Sequence, residues 1–115
     1  MIPYDEFKAL PVAEADAICA EKMGWHHHFG IGDDAWWEAN GIRAADYFYW
    51  SPTTDRNDAA MMVEKAARDG VMRIKFTLMA HDLLAFETYG SAALAAVMAD
   101  PCLIAYCACV ALEGA

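Results

Sequence analysis

The chain has 115 residues, 58% of them hydrophobic, and a net charge of -9 from 17 acidic and 8 basic side chains. That length supports a single domain over residues 1–115, with one core burying about 65% of the unfolded surface. The composition excludes a disordered tail, and the acidity excludes broad binding to duplex nucleic acid, which needs a basic face to displace counterions.

The opening run, Met1-Ile2-Pro3-Tyr4-Asp5-Glu6, lacks the basic and apolar regions of a signal peptide. No export is expected, and the cytoplasm is the expected location. Residues 12–23 carry Val12, Ala15, Ile18, Cys19 and Met23 on one side and Glu14 and Glu21 on the other, the pattern of a first helix. Gly24 can take the left-handed conformation that stops it, and Trp25 follows as an anchor. Residues 26–34, with His26, His27, His28, Gly30, Gly32, Asp33 and Asp34, have the composition of a loop. A hairpin is expected next, turning at Asn40-Gly41. A two-residue turn places Glu38 opposite Arg43 and Trp37 opposite Ala44. The second strand is expected from Ala44 to Trp50, with Tyr47 and Tyr49 on one face and Phe48 and Trp50 on the other.

Pro52, Thr53 and Thr54 mark the entry to a second helix over about residues 55–69, with a threonine hydroxyl available as its cap. Ala59, Met62, Val63 and Ala66 give it one apolar face, and Gly70 ends it. A second hairpin is expected from Val71 to about Tyr89, turning at Ala80-His81-Asp82 and pairing Phe76 with Phe86 and Lys75 with Glu87. Its polar face, with Arg73 and Lys75, is expected to form a half-exposed shelf. Residues 91–98 suit either a short helix or an extended lead-in. Asp100 then caps a last helix over residues 101–112 that begins with Pro101. The apolar run from Ala92 to Leu112 is not expected to span a membrane, because Asp100-Pro101 would lie at mid-bilayer. That last helix is apolar around nearly its whole circumference, so it is expected to be central or to be shared with a partner chain. The order is α-β-β-α-β-β-α: an α+β domain with an antiparallel four-stranded sheet from two hairpins and three helices packed on it.

Two blocks, Glu21-Lys22-Met23-Gly24-Trp25 and Trp50-Ser51-Pro52-Thr53-Thr54-Asp55 running into Met62-Val63-Glu64-Lys65, together with the helix opening Ala99-Asp100-Pro101, resemble the small phage proteins of the phage ABA sandwich domain family. The resemblance covers the chain from about residue 11 onward. It implies a sandwich-like fold and a phage origin, acting inside a bacterial host cell. It implies no activity, since the shared motifs are structural.

The residues themselves favour binding over catalysis. Cys19, Cys102, Cys107 and Cys109 have no Cys-x-x-Cys spacing, and three fall in an apolar helix, so they read as buried, reduced thiols. The three histidines lack the helix-borne spacing of a metal site. There is no nucleophile elbow and no phosphate-binding glycine loop. No enzyme activity, metal or cofactor is expected. Trp25, Trp36, Trp37, Tyr47, Tyr49 and Trp50 cluster beside Arg43, and aromatic faces with a guanidinium can hold a base and its phosphate. Lys8, Lys22, Lys65 and Arg68 fit helix surfaces or C-terminal dipoles, which leaves Arg43, Arg56, Arg73 and Lys75 for an anion. The expected ligand is nucleotide-like, such as a bacterial defence signal, held by Arg43, Arg73 and Lys75, with Arg56 as a further cation and Trp37 or Tyr47 as the stacking surface. The alternative is a protein-interaction module that blocks a host or phage protein. A homo-oligomer, with a two-fold dimer favoured, is expected from the apolar last helix and the surplus tryptophans.

Overall fold

The computed structural model describes residues 1–32, 34–68 and 100–113. In chain order they form α1 (Tyr4–Ala9), α2 (Val12–Lys22), β1 (His26–Phe29), β2 (Ala35–Ala39), β3 (Ile42–Asp46), α3 (Arg56–Ala67) and α4 (Pro101–Leu112). The class is α+β, but the expected four-stranded sheet with three helices is corrected. The described residues hold a three-stranded antiparallel sheet, in the order β1-β2-β3, and four helices. The second hairpin, with Arg73 and Lys75, and the segment 91–98 lie outside the described residues.

The strand that sequence reasoning missed is β1. Its three histidines and the glycines beyond it have loop composition, yet they pair with β2 as His26↔Glu38, His27↔Trp37, His28↔Trp36 and Phe29↔Ala35. Pairing lets the His27 and His28 imidazoles lie against aromatic rings, which a polarity count does not register. The missed α1 has a single buried residue, Phe7, and six residues are too few for a periodic signal.

The Asn40-Gly41 turn forms as expected. Both residues have positive φ, 53° and 79°, as the tight hairpin turn demands. Glu38 faces Arg43, but an irregularity between Trp37 and Glu38 sets Trp37 opposite Ala45 rather than Ala44. β3 also stops at Asp46, short of the expected Trp50. The Asp46 carboxylate accepts from the Phe48 N–H at 2.9 Å, and the Trp50 N–H bonds back to the Asp46 carbonyl at 3.0 Å. These bonds fold residues 47–49 into a turn and remove the expected two-faced strand.

Helix boundaries follow local chemistry. Gly24 has φ 82°; its N–H bonds to the Glu21 carbonyl while the Trp25 N–H reaches the Ala20 carbonyl, so the last free carbonyls of α2 are satisfied. Asp100 caps α4 by accepting from the Cys102 N–H at 2.8 Å, with Pro101 as first residue. The cap of α3 is Asp55, which accepts from the Asn57 N–H at 2.8 Å, and not a threonine. Thr53 is used elsewhere, as described below.

α4 is the central helix. It packs against α3, α2 and α1, and eight of its twelve residues are buried. Tyr106 tilts against Tyr4 and Phe7 and donates to the Ile2 carbonyl at 2.6 Å. The four cysteines are free thiols, and the Cys109 and Cys19 sulfurs are 3.6 Å apart in the core. The hydrogen bond from Cys109 and then burial push the Cys19 thiol far up, while burial pushes Cys107 up to about 12. Such thiols stay protonated and behave as small apolar groups.

Residues 21–25 and 50–65 dock on each other. The Trp25 and Trp50 rings lie 4.6 Å apart at 59°, and the Lys65 ammonium donates to the Met23 carbonyl at the end of α2. This junction joins α2, the sheet and α3, and the candidate site opens beside it.

Candidate functional site

β2 alternates, so Trp36 and Trp37 point to opposite faces of the sheet. On one face Trp36 stacks on His28 at 5.9 Å and donates from Nε1 to Glu38 at 3.3 Å, while the Arg43 guanidinium lies 5.3 Å above its ring. Arg43 Nη2 is also 3.4 Å from Asp34 and 3.2 Å from Asp46. Two carboxylates thus already neutralise this cation, at an exposed position where each pair contributes little to stability.

The other face is aromatic. His27 stacks on Tyr47 with centroids 4.1 Å apart and planes 9° off parallel, and it also meets Phe29 at 4.2 Å and Trp37 at 5.2 Å. Tyr47 in turn contacts Trp37 at 5.6 Å and Phe48, edge-on, at 5.3 Å. The His27 Nε2 atom is buried and makes no hydrogen bond. The rings form an unbroken series from Phe29 to Phe48.

Beyond Tyr47 this face opens into a cleft of about 310 Å³. Trp37, Tyr47, Phe48 and Trp50 line it from the sheet and the turn after it, Val12, Ala13, Asp16 and Ala17 from α2, and Ser51 from the start of the following segment. Small side chains on α2 leave the space, and the turn at 47–49 swings Phe48 over it.

Asp16 organises the cleft. It is only 6% exposed and makes no ion pair among the described residues. Its Oδ1 accepts from the Thr53 N–H at 3.1 Å and the Thr53 hydroxyl at 2.7 Å, and its Oδ2 from the Ser51 hydroxyl at 3.2 Å. Its backbone carbonyl accepts from Trp50 Nε1 at 3.1 Å. Every donor is neutral, so the carboxylate is solvated by the protein without being neutralised. Nearby, Asp58 accepts from the Ser51 N–H at 2.9 Å. Loss of water pushes the Asp58 carboxyl up, the Ser51 hydrogen bond pulls it back, and the charges of Asp55 and Asp16 raise it further.

Of the expected site residues, Trp37 and Tyr47 come together at the cleft. Arg43 does not join them, for it stands on the Trp36 face. Arg56 occupies the first turn of α3, exposed and outside the cleft lining. Arg73 and Lys75 lie outside the described residues. Sequence reasoning missed Asp16, Ser51, Phe48 and the α2 residues. One signal was available for Asp16: it lies four positions after Val12 and three before Cys19, which puts a carboxylate beside the apolar side of a helix. Among the described residues, no group of three or more His, Cys, Asp or Glu could hold a metal ion. Nor is any helix among them long and apolar enough to cross a membrane. The chain matches no family model, no curated protein and no solved structure.

Proposed function

We propose that this is a non-catalytic binding protein that holds a small organic ligand in the cleft between α2 and the Trp37 face of the sheet. The observation that carries this is the lining itself. Four aromatic side chains face three small apolar ones around a concave space, with a few fixed polar groups, as ligand sites usually have. The absence of catalysis draws support from how the reactive groups are held. Ser51 is bonded to Asp16 and Thr54 rather than to a histidine, and the Cys19, Cys102 and Cys107 thiols are all pushed toward the protonated form. The phage resemblance supports a setting inside an infected bacterial cell. A nucleotide-like defence signal finds less support at this site, because among the described residues no basic side chain lines the cleft and Arg43 is held by two carboxylates on the opposite face.

A fragment screen followed through the tryptophan indole N–H resonances tests this. Ligands that bind should move the Trp37 and Trp50 signals, and Phe48→Ala should weaken them about tenfold, the loss of one aromatic wall. Hits that shift only Trp36 would place the site on the other face.

A protein contact is the second reading, and a different observation favours it. Phe29, Ile31, Phe48 and Tyr49 are 78%, 99%, 69% and 82% exposed, more large apolar surface than a small monomer ordinarily leaves in one region of its sequence. We propose self-association as its first form.

A further inference from the structure

We propose that the ligand of the aromatic cleft is a free organic cation of the quaternary ammonium class. This rests on the cleft being the binding site, and it adds the charge and chemistry of what enters. Three observations converge. The walls are Trp37, Tyr47, Phe48 and Trp50, whose ring faces carry the negative part of the aromatic quadrupole and attract a cation within about 6 Å of the centroid. Among the described residues, the one charged group in the lining is Asp16, buried and bonded to neutral donors, so no counter-charge there cancels its negative charge beside the cleft. The balance of charge around it is also negative: Asp55 and Asp58 flank Arg56 at the start of α3, and the chain as a whole carries -9.

The polar groups also say what kind of cation. Asp16 Oδ1 already accepts two hydrogen bonds, and Ser51 is engaged by both Asp16 and Thr54. A primary ammonium carries three donors and would find few acceptors free to take them. A quaternary ammonium has no N–H to satisfy. It needs only aromatic faces and a negative charge at short range, which is what the cleft provides. Its volume lies near the lower end of ordinary ligand sites, which suits a small headgroup rather than a nucleotide.

The test is a titration of the whole chain with choline, with its uncharged isostere 3,3-dimethylbutanol, with ATP, and with a trimethyllysine peptide, read by the Trp37 and Trp50 indole signals. Choline should bind saturably and about tenfold more tightly than the isostere. Tyr47→Leu, which leaves the Asp16 hydrogen bonds alone, should remove that preference. Asp16→Asn should weaken choline and leave the isostere unchanged, with the melting transition showing whether the variant is folded. Equal binding of choline and the isostere at Trp37 and Trp50 would overturn the cation and leave the cleft standing. Tighter binding of the peptide would overturn the free ligand by putting the cation on a protein. ATP moving Trp36 while choline moves nothing would overturn both the cation and the cleft.

Discussion

Asp16 reaches across 35 to 37 positions of sequence to fix the segment that follows the sheet. A buried carboxylate without a cation is costly, and here three neutral donors and the dipoles they carry offset the lost water. The same charge acts on its neighbours. Asp58 sits in its field and in that of Asp55, but loss of water is the larger cause of its raised pKa. A carboxyl whose folded pKa lies above its ordinary 3.8 binds its proton more tightly in the folded chain than in the unfolded one. The stability contributed by that proton is therefore present below 3.8 and is lost as pH rises through the raised folded value. Asp58→Asn is neutral at every pH and keeps an amide oxygen for the Ser51 N–H. Its stability relative to wild type should accordingly climb as pH rises from below 3.8 through the raised folded value and then level off. Denaturant midpoints measured across that range check this, and a difference that stays constant would mean Asp58 feels no such penalty.

At the scale of elements, the sharpest constraint is the end of α2. Gly24 adopts φ 82°, and a Cβ there would meet nothing closer than Lys65 Nζ at 3.9 Å, so the cost of a side chain is in the backbone alone. Gly24→Ala should destabilise by about 1–2 kcal/mol, visible as a lower denaturant midpoint with an unchanged slope. A loss well beyond that would mean the Trp25–Trp50 and Lys65–Met23 contacts had also come apart. Stops and starts of this kind were legible in the sequence because they are local chemistry. Gly24, Asn40-Gly41 and Asp100-Pro101 each act through their own backbone. What was not legible depends on a partner far away in sequence. β1 becomes a strand only because β2 offers it aromatic faces, and Asp46 ends β3 through a side-chain bond that strand propensity does not contain. Thr53 could serve as a helix cap or as a donor to Asp16, and only the approach of α2 decides between them.

The site was half legible for a related reason. Trp37 and Tyr47 announce themselves as aromatics, and they do meet. Yet the pairing of Glu38 with Arg43 already puts Arg43 on the face opposite Trp37, because neighbours along β2 alternate. An anion site joining the two was inconsistent with that register. For the molecule as a whole, the dimer expected from the sequence rested on an unpartnered α4 and on tryptophans in excess of what one core can hide. Both features are absorbed within the chain: α4 is the helix that the other described helices pack on, and Trp25, Trp37 and Trp50 are all buried. Among the described residues, the large apolar side chains left most exposed are Phe29, Ile31, Ile42, Phe48 and Tyr49. Self-association, where it occurs, should then draw on exposed side chains such as Phe29 and Tyr49 rather than on α4, most of which is already out of contact with water. Sedimentation equilibrium at tens of micromolar should give twice 12.7 kDa for the wild type and 12.7 kDa for Phe29→Ser combined with Tyr49→Ser, with the melting temperature little changed in dilute solution. A wild type that sediments at 12.7 kDa throughout would remove self-association and leave the exposed aromatics to a different partner.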